Sequence, residues 1–180
     1  LSLILFSLGL VFSIHLTSPD SFTIDQNPNQ NYFFNITLNN TNIGTAPGNI
    51  TSVNITLPAG FPFTTNTNGT SLGSIANFTN TTTILRWINS TVGGYLIHGE
   101  ANNISFWFNV TVTASRGYHN ITVTSYNGTG GYSTNISVLV QDTVLPQVNL
   151  TSPTNQTYVN NASINYNITT SENSSCSFSL

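Results

Sequence analysis

Along most of the chain, apolar and polar residues alternate one for one, the period of a strand with one buried face. Phe34, Ile36 and Leu38 share one face, with Asn35 and Thr37 on the other. Val53, Ile55 and Leu57 alternate with Asn54 and Thr56. Ile104, Phe106, Phe108, Val110 and Val112 make the longest apolar face; Ile121 and Val123, then Ile136, Val138 and Val140, continue the pattern. Leu85 and Trp87 fall on the core parity, which leaves Arg86 outward. Each such side chain gains roughly 1.5–3 kcal/mol on burial. The shared parity predicts a core of Phe34, Ile36, Val53, Ile55, Phe106, Phe108, Val110, Ile121, Val123, Ile136 and Val138. A polar face opposite an apolar one is the signature of antiparallel pairing.

Turn signals separate the runs. Asn127-Gly128-Thr129-Gly130-Gly131 joins two alternating strands as a Gly-rich hairpin loop. Pro58-Ala59-Gly60, Gly93-Gly94 and Arg116-Gly117 close or open others. No stretch after residue 14 holds a helical period. The expected fold is all-β: an immunoglobulin-like antiparallel β-sandwich of seven to nine strands over residues 17–142.

The two ends read differently. "LSLILFSLGLVFSI", residues 1–14, is apolar and uncharged. As a helix it would reach about 21 Å, short of a ~30 Å hydrocarbon core. Residues 1–16 are therefore expected to be a signal peptide, cleaved after Ser13, or a fragment of a membrane anchor that begins upstream. Asp142 to Pro146 reads as a linker, and residues 143–180 as the N-terminal part of a second, truncated Ig-like domain, with Val148, Leu150, Ile164, Tyr166 and Ile168 in strand alternation. Both ends suggest a piece of a longer protein.

Charge narrows the function. Charged residues are 4% of the chain, lysine is absent, and Arg86 and Arg116 are the strong cations. A nucleic-acid binder needs clustered cations to neutralise phosphates, and polybasic docking on membranes needs the same. Both classes are excluded. A hydrophobic share of 38% with 11% aromatics argues against disorder.

The polar positions are mostly Asn, Thr and Ser, and they form 18 Asn-x-Ser/Thr triplets with a non-proline middle residue. Ser and Thr make up 49 of 180 residues, so chance gives the 27 asparagines about 7. Strand alternation accounts for part of the excess. It does not account for triplets in turns, such as those at Asn68, Asn89 and Asn127, or for the scarcity of Lys, Glu, Gln and Arg on the polar faces. The expected glycan acceptors are Asn35, Asn54, Asn68, Asn89, Asn109, Asn120, Asn127 and Asn135, with Asn35, Asn54, Asn109, Asn120 and Asn135 facing solvent. Glycans there would supply the solubility that charge does not and would blunt exposed edges.

Catalytic and metal chemistry find little to work with. His98 and Glu100 share one face of an extended segment, but a zinc site needs about four ligands and no third is near in sequence. A calcium-stiffened junction at Asp142 would want several carboxylates. No Gly-x-Ser-x-Gly elbow occurs, and the five acids are too scattered to suggest a glycosidase pair. Neither enzyme activity nor a cofactor is expected. Cys176 stands alone, pointing to a partner outside the sequence or a buried thiol. Trp107 has outward parity, and Tyr95, Tyr118, Tyr126 and Tyr132 cluster near loops. Either these rings form a sugar-stacking platform, or Trp107 covers a neighbouring strand.

"LPQVNLTSPTNQTYVNNASINYNIT" resembles the opening of tandem Ig-like repeats in archaeal and bacterial secreted cell-surface proteins of the S-layer or adhesin type. "YHNITVTSYNGTGGYSTNISVLVQD" resembles the last hairpin of such a module. The resemblance covers about 120 residues and brings no catalytic residues with it. It implies an extracellular, non-enzymatic structural or adhesive module with cell-envelope, extracellular protein or glycan partners and scope for self-association. Two alternatives stand beside it: a carbohydrate-binding module, and a filament subunit that assembles by strand donation. Recognition loops are expected at one end of the sandwich, such as Thr64–Thr70 or Asn127–Gly131.

Overall fold

The computed structural model describes residues 15–25, 30–40, 49–98, 102–127, 130–143, 147–152 and 167–171. The chain divides into two compact units, Leu1–Asp142 and Thr143–Leu180.

The described part of the first unit holds β1 (His15–Ser18), β2 (Ser21–Asp25), β3 (Asn31–Asn40), β4 (Ser52–Thr56), β5 (Gly69–Thr70), β6 (Ala76–Asn80), β7 (Ile84–Asn89), β8 (Asn103–Thr111), β9 (Gly117–Tyr126) and β10 (Gly131–Gln141). They form a four-stranded sheet, β1-β3-β8-β5, and a six-stranded sheet, β2-β10-β9-β4-β7-β6. The β3–β8 pair and the β10-β9-β4 order are the B–E and G–F–C relations of an Ig sandwich, with a hairpin, β6–β7, added beyond β4.

The core follows from parity. All eleven expected core residues are at most 1% exposed. They come from the facing sides of the two sheets, and the rings interlock. Phe34 stacks on Phe108 with centroids 5.7 Å apart, and Trp87 tilts against Phe106 at 4.9 Å. Trp87 continues outward through Phe78 to Phe63. Leu57, Phe61, Val112 and Ala114 are also buried. Gly60 makes this packing possible: its φ is +81°, and a Cβ there would lie 2.7 Å from the Ala114 backbone.

Two features depart from simple alternation. First, β2 pairs with β10 in parallel, from Ser21↔Ser137 to Asp25↔Gln141. The chain crosses between sheets at Ser18-Pro19-Asp20, whose Ser18–Pro19 bond is cis. β1 and β2 run on in one direction across that crossing. Antiparallel pairing of β1 with β3 therefore goes with parallel pairing of β2 with β10. Second, β1 starts at His15, inside the segment read as leader or anchor, and its polarity is inverted: His15 is buried while Leu16 is 57% exposed.

In the second unit, β11 (Val148–Ser152) pairs antiparallel with β12 (Asn167–Thr170), and Ser171 N–H donates to the Gln147 carbonyl. Ile164, Tyr166 and Cys176 lie outside the described residues, as do residues 1–14. Among the described residues no helix is long and apolar enough to cross a membrane.

Candidate functional site

With the apolar parity turned inward, the Asn-x-Ser/Thr parity turns outward on both sheets. On the four-stranded sheet, cross-strand pairing sets Asn35 opposite Trp107 and Phe33 opposite Asn109. Asn35 is exposed and Asn109 half-buried. The Asn109 backbone N–H donates to Thr67 Oγ1, and its side-chain carbonyl is buried. On the six-stranded sheet one outward row runs Thr79, Arg86, Asn54, Thr124, Ser133. A second pairs Thr122 with Asn135, and a third pairs Asn120 with Ser137. Asn120 and Asn135 are exposed; Asn54 is half-buried. Thr122 Oγ1 donates to Asn135 Oδ1 at 2.8 Å, and Thr124 and Ser133 hydroxyls meet at 2.8 Å. Hydroxyls and amides thus knit the surface as they would bind water.

The loop candidates divide. Asn68 is half-buried beside β5. Asn89 is half-buried and engaged twice: its Nδ2 donates to the Tyr95 carbonyl at 2.7 Å, and its Oδ1 accepts from Thr91 N–H at 2.7 Å. Asn127 is 7% exposed, and its Oδ1 accepts from Gly130 N–H at 2.8 Å, closing the β9–β10 hairpin from within. Asx side chains shape turns in this way. The triplet alone could not distinguish this structural role from an acceptor role.

Among the described residues, catalytic geometry reduces to one buried pair. His15 Nδ1 lies 2.6 Å from Ser125 Oγ, the spacing of a base and its nucleophile. Both residues are 1% exposed, so no substrate reaches the hydroxyl. Burial holds the imidazole below its ordinary value, partly opposed by a backbone hydrogen bond with Val123. The pair instead ties the first strand of one sheet to β9 of the other. Sequence reading missed it, because His15 adjoins an apolar run that looks like a leader.

Among the described residues, the remaining candidates do not converge. Glu100 lies outside the described residues; His98 is exposed, its ring edge-on to Tyr95 with centroids 5.5 Å apart. Among the described residues no three metal-capable side chains come together. Asp142 pairs with Arg116. Trp107 lies over Gly69, where a Cβ would fall 2.2 Å from the indole Nε1, so the ring covers the neighbouring strand. The two expected recognition loops sit at opposite ends of the sandwich. Thr64 donates to Asn31 Oδ1 at the start of β3, whereas the β9–β10 hairpin follows Ser125, which His15 links to Asn40 at the end of β3.

No protein-family model and no curated protein sequence matches the chain. Among solved structures it is similar to the N-terminal domain of the Streptococcus gordonii adhesin Sgo0707, at 10% identity and a TM-score of 0.48 over 71% of this chain and 32% of that one. It is similar to the C-terminal domain of the Streptococcus agalactiae AgI/II polypeptide BspA, at 12% identity and 0.45, over 72% and 47%. It is also similar to AvmM, which catalyses macrocyclization in alchivemycin A biosynthesis, at 8% identity and 0.44, over 74% and 92%. The chain spans less than half the length of either of these two streptococcal chains. At such identities and TM-scores the likeness carries no functional weight.

Proposed function

We propose that the chain is a non-enzymatic structural or adhesive module of a secreted cell-surface protein, N-glycosylated on its outward sheet faces. The observation that carries this reading is the distribution of the triplets. Asn35, Asn120 and Asn135 stand exposed on the outer faces of two sheets that bear almost no charge. Glycans at these positions would hydrate faces that Asn, Thr and Ser hydrate only weakly. Asn127 is left out of the acceptor set, since its amide is closed inside the hairpin. The module would then act by spacing, shielding or weak contacts that gain strength through repetition along a longer chain.

The reading predicts a molecule outside the cell envelope. An antibody raised against the folded domain should bind intact, unpermeabilised cells of the native host. Binding only after permeabilisation overturns it.

A further inference from the structure

Five of the triplets have an aromatic residue two positions before the asparagine: Phe33 before Asn35, Phe78 before Asn80, Trp87 before Asn89, Trp107 before Asn109 and Tyr118 before Asn120. Residues i and i+2 of a strand share a face and stand about 7 Å apart. Three of the five rings are already engaged. Phe78 and Trp87 pack on one another, and Trp107 lies over Gly69. The other two are the most exposed aromatic side chains among the described residues: Tyr118 at 77% and Phe33 at 62%. Their asparagines, Asn120 and Asn35, are both exposed. One pair lies on β9 of the six-stranded sheet and the other on β3 of the four-stranded sheet, so the same juxtaposition arises twice, independently.

Packing among the described residues gives no reason for a phenylalanine and a tyrosine to stand in water at these two places. We propose that Phe33 and Tyr118 are stacking platforms for the first sugar of N-linked glycans carried at Asn35 and Asn120. The inference rests on the glycosylation proposed above. In attachment, Asn Nδ2 bonds to the anomeric carbon and loses one proton, and a phosphate-linked carrier leaves the activated sugar donor. The pyranose so fixed can lie back along the strand over residue i−2. Its axial C–H bonds make one face apolar, and that face suits the electron-rich face of an aromatic ring. The occupant of each exposed ring is thus the chain's own sugar. The ring orders the glycan against the sheet, and the glycan covers the ring.

The test uses full-length protein from the native host with Asn35→Gln, Phe33→Ala and the double variant, and the matching set at Asn120 and Tyr118. Glycopeptide mass spectrometry reads occupancy and thermal unfolding reads the midpoint. Asn35→Gln should lower the midpoint by about 3 °C when Phe33 is present and leave it unchanged in the Phe33→Ala background. The Asn120 and Tyr118 set should behave alike. In the wild-type protein the C–H protons of the first sugar should also show upfield ring-current shifts. Occupied sites with equal losses in both backgrounds and unshifted sugar protons overturn the stacking but leave glycosylation standing. Bare Asn35 and Asn120 overturn both.

Discussion

His15 Nδ1 and Ser125 Oγ meet at 2.6 Å between two strands that belong to different sheets. The bond is buried, with each residue 1% exposed. Losing either partner removes a buried hydrogen bond, at about 1–3 kcal/mol. Ser125→Ala should therefore lower the unfolding free energy by that amount, read as a lower urea midpoint with an unchanged slope by tryptophan fluorescence. A variant as stable as the parent would remove the pair from the account.

The same imidazole predicts how stability depends on pH. Burial lowers the His15 pKa from its ordinary 6.5, with a backbone hydrogen bond to Val123 opposing. The unfolded chain then takes up a proton that the folded chain refuses. Stability from this group is complete above about pH 6.5, falls as the pH drops below that value, and levels off once the lower folded pKa has been passed. Denaturant titrations from pH 8 to pH 5 should show this decline in the parent and not in His15→Gln. An identical decline in both would assign it elsewhere.

Trp107 and Gly69 form a second testable pair. An added methyl at Gly69 would meet the indole at 2.2–2.6 Å, so Gly69→Ala must displace the ring. The expected cost is about 1–3 kcal/mol, with a red shift in tryptophan emission. In a Trp107→Ala background the same substitution should cost little. Equal cost in both backgrounds would show that the ring does not rest there.

At the centre, Phe106 touches Trp87 at 4.9 Å and is fully buried. Phe106→Ala should cost about 3–5 kcal/mol. Asn35→Gln on unglycosylated protein should cost almost nothing, since that side chain stands in solvent. Thermal unfolding of the two variants, both made in a host without N-glycosylation, checks the contrast.

Much of this architecture is legible in the sequence because a period-two pattern states which face is buried without reference to partners. Phe34, Val53, Phe106 and Ile136 are all found inside for that reason. Pairing partners are another matter. Nothing in "SFTID" says that Ser21–Asp25 runs parallel to β10, because parallel and antiparallel edges bury the same residues. His15 was illegible because its burial depends on Ser125, 110 residues away. For the candidate acceptors, the triplet marks Asn35 and Asn127 alike; only the hairpin geometry shows that Asn127 is closed from within. The aromatic residues at i−2 were visible in the sequence, but their significance depends on which rings the core leaves uncovered.

The central claim, that the sparsely charged outer faces carry sugar, is tested most directly by glycopeptide mass spectrometry on protein purified from its native host. Trypsin has only Arg86 and Arg116 to cut, so chymotryptic peptides are needed to separate the sites. The account predicts glycan mass on Asn35, Asn120 and Asn135 and unmodified Asn127. Bare asparagine at all three exposed positions, or sugar on Asn127 in the folded protein, would contradict it.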